Sequence, residues 1–397
     1  MASLAVAFAG LAGVAGCGPA TPSPLGSPPA EHSQPSGETS IASPSPSGLL
    51  AEMEVRSLDV ELTDTILTFA SDGQAVLFSS GAAEDAERGA APDLWRGDAF
   101  ADGEPEVLWR NPARDHAIVK IAGDLGSVAF VDIPLDGSRA WDLWLIPGNA
   151  EEPILLDTHP GDESVSSLVP SFSVAESTIA WTAFDIGPDG PVSQLLLARG
   201  PRWEPELLLE VSAARAELWF PSLGTSRLVY SEVRYSDDRE SDTRSVYVLP
   251  LDEPAAELRR LDDSDRATMP LLIGDTVIWK EADAGFSMFN WGRLWRRDLD
   301  EPGPRRLETD PAGYVNYPSA GSRFVAWWSA DAFTFGVYDI VEDRPRVIET
   351  YAGASGANVV RPHIAWDLLT WLYLEGESPE SRAELRYAVM PPVRAPR

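Results

Sequence analysis

From residue 55 onward, short apolar runs alternate with clusters of Gly, Pro, Asp and Ser, and one apolar run ending in an aromatic recurs seven times. Its copies are Ala75-Val-Leu-Phe78, Val128-Ala-Phe130, Ile179-Ala-Trp181, Leu228-Val-Tyr230, Val277-Ile-Trp279, Val325-Ala-Trp327 and Leu369-Thr-Trp371. The closing aromatics are spaced 52, 51, 49, 49, 48 and 44 residues apart. A second anchor follows about 15 residues later in each copy, at Trp95, Trp144, Leu196, Tyr247, Trp295, Tyr338 and Tyr387. A proline precedes the run in five copies, at Pro170, Pro221, Pro270, Pro318 and Pro362. Three independent markers with one period define a repeat of roughly 49 residues.

Each copy predicts four short strands. In the third they fall at Leu168–Val174, Thr178–Ala183, Gln194–Ala198 and Glu206–Glu210, runs of Val, Ile, Leu and aromatics bounded by turn residues. Helices fit poorly, because 34 prolines and 31 glycines interrupt the chain. The second strand of each copy is apolar at nearly every position, so both of its faces must be covered. Sheets standing radially, each between two neighbours, meet that need. The expected fold is all-β, a seven-bladed β-propeller of four-stranded antiparallel blades. The seventh copy supplies three strands, ending near Tyr387-Ala-Val-Met390 before Pro391-Pro392. Val55–Leu62 is an unpaired strand-like stretch upstream of the first copy, and it is expected to complete blade seven as the outermost strand, hiding the seam.

Three regions follow. Residues 1–17 hold a short apolar stretch, Leu4 to Gly16, ending Val14-Ala-Gly-Cys17. It is too short to span a bilayer and has the form of a signal peptide's apolar core. Val-Ala-Gly-Cys resembles the bacterial lipoprotein processing box, which implies lipid attachment at Cys17, the only cysteine of the chain. An ordinary secretory signal with an incidental Cys is the alternative, and no Lys or Arg precedes the apolar run. Residues 18–50 carry eight prolines, eight serines and no Lys or Arg, a composition with almost nothing to bury, so they form a disordered linker. Residues 51–397 are the propeller. This arrangement implies an extracytoplasmic protein held to a cell or outer membrane by its lipid alone, and a monomer.

The formal net charge is −31, of which only Glu31 and Glu38 lie in the first 50 residues. Nucleic-acid binding and direct adsorption to anionic headgroups are disfavoured, since both need a basic surface. Basic partners or divalent cations, or simple solubility, accord with such a charge. The expected second-to-third-strand loops are acidic: Ala82–Asp93, Asp185–Gly190, Ser236–Thr243 and Glu375–Glu384, with Asp132–Gly137 repeating the Asp-x-x-x-Asp-Gly pattern of Asp185–Gly190. Spaced carboxylates suit calcium, but two Asp with a Gly are also ordinary turn chemistry, and no full calcium-loop pattern occurs. No metal or other cofactor is therefore assigned.

Residues just before the first-strand prolines are expected at the funnel edge. Trp219, Asn316, Tyr317 and Arg361 are the candidate ligand contacts, aromatics and an arginine suited to gripping a protein, peptide or glycan. Packing between blades is the other role open to them. No histidine pair has metal-ligand spacing, and neither a Gly-x-Ser-x-Gly elbow nor a phosphate-cradling loop is present. Carboxylates are too numerous for any pair to single itself out as a glycosidase pair.

The repeat resembles that of TolB-like, or WD40-like, bacterial propellers. Ser71-Asp-Gly-Gln-Ala-Val-Leu-Phe78 is similar to that family's Ser-x-Asp-Gly-x-x-Ile-Ala-Phe stretch, and Asp142-Leu-Trp-Leu-Ile-Pro147 with Glu152-Pro-Ile-Leu-Leu156 to its third and fourth strands. The resemblance spans all seven copies loosely, with the Asp-Gly turn only in the first. TolB itself has six blades and a preceding α/β domain, so its partners do not carry over. The expectation is a binding, scaffold or sensor protein without catalysis. The rival is a propeller hydrolase or lyase acting on envelope glycans or peptides.

Overall fold

A computed structural model describes residues 53–58, 68–81, 90–101, 103–148, 150, 152–161, 169–236, 242–252, 258–282, 292–307, 309, 315–329, 334–350, 358–375 and 382–391. All of these belong to the unit Ser47–Arg397. Cys17, the apolar leader and the Pro/Ser-rich stretch lie outside them.

The apolar runs form 28 strands in seven four-stranded antiparallel sheets, and the described residues contain no helix. The chain enters through β1 (Val55–Ser57). Blade one is β2 (Phe69–Ser71), β3 (Ala75–Ser80), β4 (Asp93–Asp98) and β5 (Glu106–Trp109). Blade two is β6 (His116–Asp124), β7 (Ser127–Pro134), β8 (Trp141–Ile146) and β9 (Ile154–His159). Blade three is β10 (Phe172–Ala175), β11 (Thr178–Gly187), β12 (Gly190–Arg199) and β13 (Glu206–Ser212). Blade four is β14 (Ala216–Leu223), β15 (Arg227–Arg234), β16 (Thr243–Pro250) and β17 (Arg259–Arg260). Blade five is β18 (Ala267–Ile273), β19 (Thr276–Glu281), β20 (Arg293–Asp298) and β21 (Arg305–Arg306). Blade six is β22 (Asn316–Ala320), β23 (Phe324–Ser329), β24 (Thr334–Asp339) and β25 (Arg344–Thr350). Blade seven is β26 (Asn358–Ala365), β27 (Leu368–Glu375) and β28 (Arg382–Val389), with β1 as its fourth strand.

The ring closes. The first strand of each blade contacts the first strand of the next, and β26 contacts β2. Closure at the outer edge comes from β1, which pairs Val55 with Ala388 and Ser57 with Arg386, while Leu58 N–H donates to Leu385 O at 3.0 Å. The expected closing strand is therefore present over Val55–Ser57, and its remainder, from 59 to 62, lies outside the described residues.

Packing explains the repeat. All seven marker aromatics sit on second strands and are almost wholly buried. In blades one to five the second anchor lies directly across the ladder from the first, as in Phe78 opposite Trp95 and Tyr230 opposite Tyr247. In blade six the partner of Trp327 is Gly336, where an added Cβ would meet the indole at 2.4 Å. Because side chains alternate across a strand, each second strand serves two interfaces. Val277 and Trp279 pack with blade-four residues, whereas Ile278 between them packs with blade six. Among the described residues each of the seven blade interfaces holds such an apolar cluster, and the one between blades three and four has a second around Trp219.

One expected loop is a strand. Asp185–Gly190 belongs mostly to a long hairpin in which Asp185 pairs with Val192 and Gly187 with Gly190, leaving Pro188 and Asp189 as a two-residue turn. Gly190 takes φ +120° there, which a side chain would resist. Likewise Asp132, Ile133 and Pro134 lie in β7. Turn-type composition marked the tip of each hairpin, while the ladder continued through its flanks.

Candidate ligand-binding face

The first strands line the ring's inside and share an irregularity. In blades four to seven the ladder slips by one residue opposite the buried aromatic, between Trp219 and Ser222, Thr268 and Leu271, Asn316 and Ser319, and Val360 and His363. The residues left in each gap are an X-Pro pair: Phe220-Pro221, Met269-Pro270, Tyr317-Pro318 and Arg361-Pro362. Proline has no N–H to offer a ladder, so a bulge is where a sheet tolerates it. In these four blades the periodic proline is thus a bulge marker, whereas Pro170 lies ahead of β10. Phe220, Met269 and Tyr317 take φ of 50°, 52° and 42°. Left-handed backbone costs a side-chain-bearing residue about 1–2 kcal/mol, and the three residues repeat that cost in adjacent blades.

The four sequence-predicted residues occupy this level. Trp219 and Asn316 are the last paired residues before their bulges, opposite Ser231 and Trp328, and Tyr317 and Arg361 are the bulge residues themselves. The Trp219 ring is 6 % exposed, edge-on to Phe184 at 6.1 Å and tilted against Phe220 at 5.7 Å, with Nε1 donating to Glu217 Oε2 at 3.0 Å. Its indole therefore packs between blades three and four. Tyr317 is half-buried.

The pairing of several polar groups leaves no mark in the sequence. The His116 ring nitrogen Nδ1 lies 2.7 Å from Asp132 Oδ2. Burial raises the Asp132 carboxyl against the opposing pull of His116. Asp157 is raised by burial too, and receives a hydrogen bond from Trp181 Nε1 at 2.7 Å. The acidic turn groups are committed locally: Asp136 Oδ1 accepts from Ser138 N–H and Asp185 Oδ1 from Ile186 N–H. Among the described residues no group of three or more His, Cys, Asp or Glu converges as metal ligands.

His363 joins blade seven to blade one. Its Nδ1 accepts from Ser71 N–H at 3.2 Å, and Ser71 Oγ donates to Leu368 O at 3.2 Å. Surrounding protein pushes the imidazole down to about 4. The unfolded chain takes up this proton near pH 6.5 and the folded one only near 4, so stability is intact above 6.5 and is lost as pH falls towards 4. The ring keeps some accessible surface, which reduces the full linkage of ~3 kcal/mol to about 2 kcal/mol. Urea melts at pH 7 and pH 4.5 should differ by that amount more in the wild type than in His363→Asn.

Lys280 is the other outlier. It lies within β19 at 0 % exposure, and its Nζ has no hydrogen-bond partner. Burial, then the charge of Arg244, pushes the amine down to about 7. The sequence did hold a signal, since Lys280 is one of only two lysines and interrupts an apolar second strand.

No protein-family model matches the chain, and no curated protein matches it. Solved structures do. One is a prolyl endopeptidase, at 13 % identity and TM-score 0.55, with 81 % of this chain and 47 % of that chain aligned. The chain thus spans about half the length of that enzyme. An oligogalacturonate lyase in complex with manganese aligns at 11 % identity and TM-score 0.52 over 83 % and 90 % of the two chains. The β-propeller domain of the Trilobed protease from Pyrococcus furiosus aligns at 10 % identity and TM-score 0.52, over 81 % and 94 %. That domain is described as having an open velcro topology, whereas here β1 closes the seam. At such identities the likeness establishes a β-propeller and nothing finer.

Proposed function

We propose that the chain is a lipid-anchored extracytoplasmic binding protein, a scaffold or sensor that holds a protein, peptide or glycan without transforming it. The observation that carries this reading is the bulged backbone repeated in the innermost strands of neighbouring blades. Strained backbone of this kind collects at functional sites; Tyr317 carries it, and Arg361 stands in the equivalent bulge of blade seven, which supports reading both as ligand contacts. The leader, the lipobox-like Cys17 and the likeness of the repeat to TolB-like propellers support a place outside the cytoplasm.

Two measurements test it. Cys17→Ser should move the protein from the membrane fraction to the soluble one, and equal membrane retention would remove the anchor. Residues 51–397, immobilised, should retain a ligand from envelope extract that Tyr317→Ala with Arg361→Ala loses at least ~10-fold, as expected for central contacts. Phe100→Ala, exposed on another part of the surface, should keep it. Equal retention by all forms defeats the assignment of the face. Release of cleaved peptide or glycan products would shift the reading to the hydrolase or lyase class.

A further inference from the structure

The position after the buried aromatic is a recurrent polar seat. In blade four Ser231 Oγ donates to Trp219 O at 3.2 Å, in blade three Thr182 Oγ1 accepts from Ser171 N–H at 3.1 Å, and in blade one Ser79 Oγ accepts from Thr68 N–H at 3.3 Å. There, a short hydroxyl and the first-strand backbone satisfy each other. Blade five places Lys280 in this seat. The ladder sets Thr268 and Leu294 directly across from it, so the three side chains share one face of the sheet. Leu294 packs with Val315, Val325 and Trp327, so that face looks onto blade six.

Among the described residues, three buried polar groups of this interface go unpaired. Lys280 Nζ, Thr268 Oγ1 and Trp327 Nε1 are all buried without a hydrogen-bond partner. Arg244, across blade five from this face, adds positive charge, and its Nε is likewise unpartnered. The chain's other lysine shows the contrast: Lys120 Nζ donates to Pro170 O at 3.1 Å and lies 5.3 Å from the centre of the Phe172 ring. Buried donors left unmade are unfavourable, and a buried ammonium demands an anionic acceptor more than a neutral one. A water molecule satisfies the hydroxyl but brings no charge.

We propose that the interface between blades five and six binds a small oxyanion, a carboxylate or a phosphate, with Lys280 Nζ as its charged donor and Thr268 Oγ1 as its second. The occupant is small because Lys280 has no exposed surface, and entry requires the crevice to open. This site is independent of the partner proposed for the open face. A macromolecule bound there neither supplies nor removes these donors.

The test uses the purified full chain at pH 7 and constant ionic strength, equilibrated with sodium acetate, sodium phosphate or sodium chloride. Acetate or phosphate should raise the thermal midpoint saturably above chloride, and the one that does so assigns the carboxylate or the phosphate class. By calorimetric titration, Lys280→Met should weaken that anion at least ~10-fold, and Thr268→Val about fivefold. Thr268→Val, which keeps the side chain's shape, decides the matter should Lys280→Met fail to fold. No response beyond chloride with either anion, or variants that respond like the wild type, overturns the proposal.

Discussion

Deleting residues 51–62 is expected to lower the thermal midpoint by about 10 °C or more, far beyond the effect of an ordinary terminal trim. The deletion removes β1 and Leu58, which is buried against Val76, Phe78, Leu368, Leu385 and Tyr387 at the junction of blades seven and one. Gly97 is fitted to that leucine, since an added Cβ would meet Leu58 Cδ2 at 2.7 Å. Truncating a buried leucine costs about 2–5 kcal/mol, and the three ladder pairs add roughly 1 kcal/mol each. A total on the order of 5 kcal/mol is comparable with the net stability of many domains. At about 2 °C or more for each kcal/mol in a chain of this size, the shift follows. The deletion also bares the edge of β28, so the truncated protein should associate on concentration. Leu58→Ala should reproduce about half of the loss. A truncated protein that melts with the intact one would remove β1 from the closure.

Lys280→Met is expected to stabilise the protein at pH 7 by about 1–4 kcal/mol in a buffer free of added oxyanions, the range seen when buried charges give way to apolar groups of similar size. Methionine fills the same space and brings no proton into the interface. The sign of the pH dependence follows from the depressed amine. The unfolded chain keeps this proton up to about pH 10.5, the folded one only to about 7. Between those values the unfolded state binds more protons, so wild-type stability rises with pH. Denaturant melts of both proteins at pH 7 and pH 9.5 give the difference of differences, in which tyrosines and arginines common to the two cancel. The advantage of the variant should shrink as pH rises. An advantage that is absent at pH 7, or that grows with pH, would show that the amine finds an acceptor in the free protein.

Blade count, strand order and closure were legible because they rest on residues that a propeller needs in every copy. A core divided into seven interfaces requires an aromatic on each second strand, and those aromatics stand out at one period. Proline at a fixed offset marked the bulges, but the left-handed φ of Phe220, Met269 and Tyr317 left no trace beyond it. One acidic segment misled. Asp185 and its neighbours carry turn composition, yet the cross-strand ladder runs through them, since pairing depends on the partner strand as much as on local preference. Trp219 was legible as a position at the inner strand, but not its engagement with Phe184 of the preceding blade. Lys280 illustrates the general limit: a lysine's desolvation is created by the neighbouring sheets, and its own segment says only that it is out of place.

The short closing strand has a mechanical consequence. Whatever tugs on the chain ahead of residue 55 transmits its load first to three ladder pairs and one buried leucine, before any interior blade feels it. The ring therefore has a built-in weak link at the point where an anchor would pull. Under tension it would come undone as a bracelet does at its clasp, with the remaining links still joined.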